Sequence, residues 1–161
     1  TRRKISEHTK QLREKQKLRY MFGISEKQLK NYFKQGTLKK GNTAKYLCQF
    51  LEKRFDNVVY RVGFAPTRAA ARQLIVHGHF KIDEQKLSIP SYQTKIDDII
   101  TFSHEKATKI PYIEKVLNNK DSIIPVWLER QCLSCKFVKE PDSSLIDKQI
   151  NLRSVIEFYS R

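Results

Sequence analysis

Residues 54–82 read RFDNVVYRVGFAPTRAAARQLIVHGHFKI. Two glycines and a threonine punctuate the stretch. Gly63 closes a short helix predicted over about Asp56 to Val62, Thr67 offers a hydroxyl to cap the next helix, and Gly78 ends that one with a left-handed turn. Between the caps, Ala70, Ala71, Leu74 and Ile75 share one arc of a helical wheel, with Arg68 and Arg72 side by side at its edge. Small alanines let this helix approach the preceding one closely, which leaves Arg61, Arg68 and Arg72 on a common rim. Past Gly78 the apolar period switches to two. Phe80 and Ile82, then Leu87 and Ile89, flank a turn at Asp83-Glu84-Gln85 and predict a β-hairpin. Helices followed by a hairpin place the chain in the α+β class.

Toward the N-terminus, Ser6 caps a helix over about 7–21 that ends near Gly23. Lys10, Arg13, Lys17 and Arg19 dominate it, and a helix this polar needs another surface, protein or polyanion, to lie against. SEKQ at 25–28 is a capping box that opens a helix to about Gln35, with Gly36 as its expected stop. A basic loop, TLKKGNTAK, follows. Asn42 or Thr43 then opens a helix whose Ala44, Leu47, Phe50, Leu51 and Phe55 form a buried stripe. Toward the C-terminus, Pro90 breaks the second hairpin strand and IITF at 99–102 makes a third. Pro111 opens a helix to about Asn119, and VWLERQ (126–131) and CKFV (135–138) read as short strands. A short helix is expected near Leu145–Gln149, with SVIEFYS as a tail.

The chain's 161 residues carry a formal net charge of +15, with 39% apolar and 30% charged residues. Such an excess repels itself in a compact state unless a polyanion is near; nucleic acid or an anionic membrane surface is the natural partner, and nucleic acid is the expected one. The charge is unevenly spread. Residues 1–56 hold 16 Lys/Arg against 5 Asp/Glu, 57–110 hold 8 against 5, and 111–161 hold 8 against 7. The polyanion-facing surface therefore belongs to the N-terminal part, and the C-terminal part reads as scaffold or protein-facing surface. No apolar run approaches the ~20 residues of a membrane-spanning helix. The chain opens TRRKIS without Met, so it is expected to be processed, trimmed or incomplete, and a targeting peptide would then be missing from it.

Arginine forks bind phosphate oxygens in pairs, and the Thr67 end of its helix presents backbone N–H groups to an anion. His77-Gly78-His79 is a poor metal motif. Its two rings straddle a helix stop and no further ligands follow at suitable spacing. Cys48, Cys132 and Cys135 do not form a disulfide framework, and Cys132-Leu-Ser-Cys135 lacks the second half of a zinc or redox motif. Asp97-Asp98 reads as a solvated turn. No glycine-rich phosphate loop and no His-nucleophile pairing stand out, so neither catalysis nor a cofactor is expected. The aromatics of RYMF (19–22) and KNYFK (30–34) divide: Phe33 belongs to the core, while Tyr20 and Tyr32 could stack on bases or anchor helices.

RFDNVVYRVGFAPTRAAARQLIVHGHFKI followed by IPSYQ resembles the RNA-binding module of the S-four family of small-subunit ribosomal proteins. QLREKQKLRYMFGISEKQLKNYF resembles the family's basic helices before the module, and VWLE with VIEFYSR resembles its tail. The resemblance implies a mainly helical body interrupted by two helices packed on a small antiparallel β-sheet. Residues 1–52 would be the first part of the body, 53–113 the inserted module and 114–161 the return. It implies binding to the 5′ region of small-subunit ribosomal RNA at a multi-helix junction early in assembly. Contacts with neighbouring ribosomal proteins are also implied, in a bacterial cytoplasm, mitochondrion or plastid. Carried over residue by residue, the RNA-facing set is Arg61, Arg68, Arg72, Gln73, His77 and Lys81 from the module. From the body it is Arg3, Lys10, Gln11, Arg13, Lys15, Lys17 and Arg19, with Arg2 and Arg3 nearest incoming mRNA at the entry channel.

This chain departs from the family at three places. Asp83-Glu84 stands where the family turns its hairpin with Asn-Gly, and Ile96-Asp97-Asp98 where it often has Pro-Gly-Asp. The family's first ~40 residues, which in some members hold a cysteine cluster, have no counterpart, so no metal is carried over. Two other readings compete. The module also occurs in RNA-modifying enzymes, but about 50 residues on either side leave little room for a catalytic domain. A free-standing RNA-binding stress or quality-control factor would lack the basic flanking helices and the VIEFYSR tail.

Overall fold

A computed structural model describes residues 6–119 and 123–161. In chain order these form α1 (Glu7–Phe22), α2 (Glu26–Leu38), α3 (Thr43–Glu52), α4 (Phe55–Arg61), α5 (Arg68–Val76), β1 (Phe80–Ile82), β2 (Gln85–Lys86) and β3 (Ile99–Phe102). Then come α6 (Glu105–Thr108), α7 (Pro111–Leu117), β4 (Leu128–Gln131), β5 (Ser134–Phe137), α8 (Ser144–Asp147) and α9 (Leu152–Tyr159). The fold is α+β. Two compact units divide it: the described residues up to Leu51 together with Asp142–Arg161, and Glu52–Pro141.

The helical unit is built from local signals plus one long-range pairing. Ser6 Oγ accepts from the Thr9 N–H at 3.3 Å and Gly23 closes α1 at φ 59°. Ser25 and Gln28 satisfy each other's backbone N–H groups at the start of α2. The buried face of α1, Gln11, Lys15, Leu18 and Phe22, packs against α9. This answers what the polar helix lies against. Its core joins Leu18, Phe22, Leu29, Leu47, Cys48 and Leu51 to Ile146, Ile150 and Val155. Two expectations need correcting. Gly36 lies inside α2 and does not stop the helix; a Cβ there would make ordinary contact with Thr43, 3.4 Å from its carbonyl oxygen. SVIEFYS is most of helix α9, capped by Asn151 Oδ1, which accepts from Ser154 N–H at 3.2 Å.

In the second unit α4 and α5 pack on each other, and with the sheet they build one core. The sheet is antiparallel throughout, in the order β2-β1-β3-β5-β4, with Phe80 opposite Phe102, Ile100 opposite Cys135 and Leu128 opposite Phe137. Phe55, Phe64 and Phe102 surround Phe80, their ring centroids 4.8–6.2 Å from its own. Val58, Leu74, Ile113 and Trp127 complete this core. Phe55 does not extend the α3 stripe. It starts α4, its N–H donating to the Tyr92 carbonyl at 2.8 Å. The unit also runs past the boundary expected at 113, because β5 pairs with β3 and carries the chain up to Pro141 into it.

The departures at the turns are resolved in the backbone. Asp83 and Glu84 have φ 47° and 67°, both left-handed as a type I′ hairpin demands. Asp83 Oδ1 accepts from the Ile99 N–H at 3.0 Å, which ties the turn to β3. Strand β2 stops at Lys86, and Ile89 beyond it is 56% exposed, so the expected second strand is shorter. Asp97 takes φ 75°, a left-handed conformation that suits glycine better than aspartate. Asp98 is buried, not solvated, and its Oδ2 accepts from the Lys95 N–H at 2.8 Å. Among the described residues no helix is long and apolar enough to cross a membrane.

Candidate nucleic-acid interface

The three arginines of the predicted rim meet on α4 and α5, and two buried carboxylates organise them. Glu52, fully buried at the end of α3, accepts from Arg61 Nε at 3.1 Å and Arg61 Nη2 at 2.7 Å. It also accepts from Asn57 Nδ2 at 2.6 Å. Asn57 Oδ1 accepts from Arg68 Nε at 2.8 Å. Asp56, 1% exposed, binds Arg54 through Nε at 3.0 Å and Nη2 at 2.7 Å, and Arg72 through Nε at 3.0 Å and Nη2 at 2.8 Å. Four guanidiniums against two carboxylates leave an excess of two positive charges here. Arg68 lies over the Tyr60 ring at 4.5 Å. Burial, and then the neighbouring Arg61, pulls its pKa below the ordinary guanidinium value, so an anion would relieve a guanidinium under like-charge stress. Thr67 Oγ1 caps α5 by accepting from Ala70 N–H at 3.1 Å.

The remaining candidates divide by exposure. Gln73 and His77 are exposed on and just after α5, and Lys81 is half-buried on β1, 3.6 Å from Glu84. In the helical unit Lys10, Arg13 and Lys17 are exposed along one face of α1, which continues to Tyr20, 71% exposed. Arg19 places its guanidinium 4.8 Å from the Tyr20 ring. Tyr32 instead stacks on Phe50 and Phe33 on Tyr159. Lys10, Arg13 and Lys17 also line an open groove of about 1550 Å³ with Lys148 and Arg153, two cations that sequence reasoning passed over. Arg3 lies outside the described residues.

Gln11 and Lys15 are turned inward. Gln11 Nε2 donates to Glu157 at 3.1 Å, and Lys15 Nζ pairs with Glu26 at 2.8 Å beneath the Phe158 ring, 4.7 Å away. Burial pushes the Glu26 carboxyl up, but hydrogen bonds from Lys15 and Tyr159 outweigh it and hold it below 4.5. A depressed folded-state pKa gives stability that is whole above the unfolded value and lost as pH falls through the folded one. The chain's melting temperature should therefore drop as pH is lowered below 4.5, and Glu26→Gln should flatten that drop. A thermal melt series from pH 7 to pH 3 checks it; an unchanged slope in the variant rejects the linkage.

The family model described as "S4 domain" matches residues 53–100, and that described as "Ribosomal protein S4/S9 N-terminal domain" matches residues 1–52. A "Small ribosomal subunit protein uS4" from Chloroherpeton thalassium is 44% identical over 98% of this chain and 79% of its own length. Those from Persephonella marina and Aquifex aeolicus are 44% and 43% identical, over 98% and 99% of this chain and 78% of their own lengths. The chain belongs to the uS4 family. Its S4 domain match begins one residue after Glu52, where the second compact unit begins, and ends within β3. In this uS4-family chain, β4 and β5 therefore extend the sheet beyond the matched segment.

The other sequence-level candidates fall away from the interface. Cys132 sits in the β4–β5 turn at φ 51°, and burial pushes the Cys135 thiol up to about 12, far from a reactive thiolate. His77, His79 and His104 have neighbouring ring centroids 6.3 and 5.3 Å apart. Among the described residues no three His, Cys, Asp or Glu side chains are placed to hold a metal ion. What sequence reasoning missed was the acidic half of the rim. Glu52, Asp56 and Asn57 stand beside arginines inside an apolar pattern, and that is the signal by which such a network could be found.

Proposed function

We propose that this chain is a structural constituent of the small ribosomal subunit. In this reading it binds the subunit's RNA at a multi-helix junction of the 5′ region, and does so through shape and phosphate charge. The observation that carries the reading is the set of guanidiniums of Arg61, Arg68 and Arg72, fixed by buried acceptors beside the start of α5. Fixed forks match phosphate oxygens, whereas mobile lysines supply charge without register. The exposed α1 face of Lys10, Arg13 and Lys17 supplies a second phosphate-facing row, and Tyr20 a ring on which an unpaired base could stack. Gln11 and Lys15 leave the RNA-facing set and become supports of the helical unit. Contact with mRNA near Arg2 and Arg3 rests on the family resemblance alone.

The role is non-enzymatic. Among the described residues Ser103 and His104 lie side by side, and the Ser103 hydroxyl donates to the Gly78 carbonyl at 2.7 Å. Chemical footprinting of small-subunit RNA with and without the protein tests the proposal. Protection clustered at one junction of the 5′ region is expected; protection that is absent or scattered would reject it. Co-sedimentation with mature small subunits separates this role from a free-standing RNA-binding factor.

A further inference from the structure

We propose that Glu52 is a positioning residue for RNA binding, one buried carboxylate that aims two guanidiniums, Arg61 directly and Arg68 through Asn57. The inference rests on the reading that this rim faces RNA. A carboxylate in a polyanion-binding rim works against binding by Coulomb's law, and a buried charge is weak evidence for stability. Its geometry explains its presence. Glu52 accepts both Nε and Nη2 of Arg61, the parallel pattern that fixes a guanidinium's plane. Its Oε2 and its own backbone carbonyl both accept from Asn57 Nδ2, at 2.6 and 3.0 Å. With that amide nitrogen committed, Asn57 Oδ1 has one direction left, and it meets Arg68 Nε at 2.8 Å. Arg68 is held on its other side by the Tyr60 ring. The single carboxylate thus passes orientation across α4 to the first residue of α5.

Net charge and positioning predict opposite signs. Glu52→Gln raises the formal charge from +15 to +16, which by charge alone tightens binding. A glutamine oxygen in the place of Oε2 still accepts from Arg61 Nε and Asn57 Nδ2, but its amide nitrogen then faces Arg61 Nη2, donor against donor. The parallel pair that fixes the guanidinium plane is broken, so positioning predicts looser binding. The test is filter binding of the full chain to the 5′ junction RNA and to poly(U) at fixed salt, with melting temperatures as the fold control. Expected is roughly tenfold weaker junction binding, the size of one broken charged hydrogen bond, with poly(U) unchanged or tighter. In an Arg61→Ala, Arg68→Ala background, Glu52→Gln should add no further loss. Junction binding that is unchanged or tighter in folded Glu52→Gln overturns the inference. So does a further loss in the double-alanine background. If Glu52→Gln melts below the assay temperature, Glu52→Asp carries the same test, since it keeps the charge and withdraws it by one methylene. Unchanged junction affinity in that variant overturns positioning. If Arg61→Ala with Arg68→Ala binds junction RNA like the parent, the rim reading itself has failed.

Discussion

Replacing Arg68 and Arg72 together by alanine should weaken binding to the 5′ junction RNA by about a hundredfold near ~0.1 M salt, two charged contacts' worth. Arg68 contributes a guanidinium held between Asn57 and Tyr60, and Arg72 one that stays 34% exposed while bound to Asp56. Each lost phosphate contact should also lower the slope of log K against log salt by roughly 0.7 to 0.9, so the double variant's slope should be shallower by about one and a half. The fold should survive, because Asp56 keeps Arg54 and Glu52 keeps Arg61. Lysine at both positions should recover the slope but not the full affinity, since it restores charge without the fork. Filter binding across a salt series measures both quantities. Parental affinity in the double alanine variant would remove these arginines from the interface.

The elements legible in the sequence are those whose ends are written in local chemistry. Ser6, the Ser25–Gln28 box, Thr67, Gly23 and Gly78 each act within four residues, so α1, the start of α2, and α5 are where their caps say. The elements misread depend on distant partners. Helix α9 has a local cap in Asn151, but at eight residues it is marginal on its own and depends on packing against α1, so its cap was easy to pass over. Strand β5 extends the module's sheet because Cys135 falls opposite Ile100, a pairing no local pattern encodes. Likewise Gln11 and Lys15 looked identical to Arg13 and Lys17 on a helix with few apolar residues to mark its inner face. Their inward turn comes from Glu157, Glu26 and Phe158, all distant in sequence.

The candidate interface shows the same division at the level of single groups. Its arginines were legible, because a helical wheel and a cap suffice to gather them. The acids that hold them were not, because Asp and Glu in a basic chain read as surface charges until tertiary structure buries them. Burial changes what each can do. Exposed, Glu52 and Asp56 would only dilute the positive charge; buried and hydrogen-bonded to Arg61, Arg54 and Arg72, they fix where those guanidiniums sit.

Asp56→Ala should cause the largest loss of stability among these variants, about 3–5 kcal/mol, the range for removing one partner of a buried ion pair. Asp56 accepts hydrogen bonds from Arg54, Arg72 and the Asn57 N–H, the last at 2.8 Å. Removing it strips the counter-ion from Arg54, whose side chain is 2% exposed and has little access to water in exchange. Arg72→Ala should cost far less, since its partner keeps Arg54 and the lost guanidinium was partly hydrated already. Arg54 sits on the link between α3 and α4, and its backbone bridges Gln93, so the disturbance should reach the loop that follows β2. A loss of this size is comparable to the whole stability of many domains, about 5–15 kcal/mol, so the variant should sit near the edge of unfolding at 37 °C. Urea denaturation followed by tryptophan fluorescence reads it, because Trp127 is buried in the same unit. Replacing Arg54 by Met in the Asp56→Ala background should recover part of the loss, since the buried charge is then removed together with its counter-ion. A single-variant loss below about 1 kcal/mol would mean that the pair behaves like an exposed one, and would sink the assignment of Asp56 as the unit's buried counter-ion.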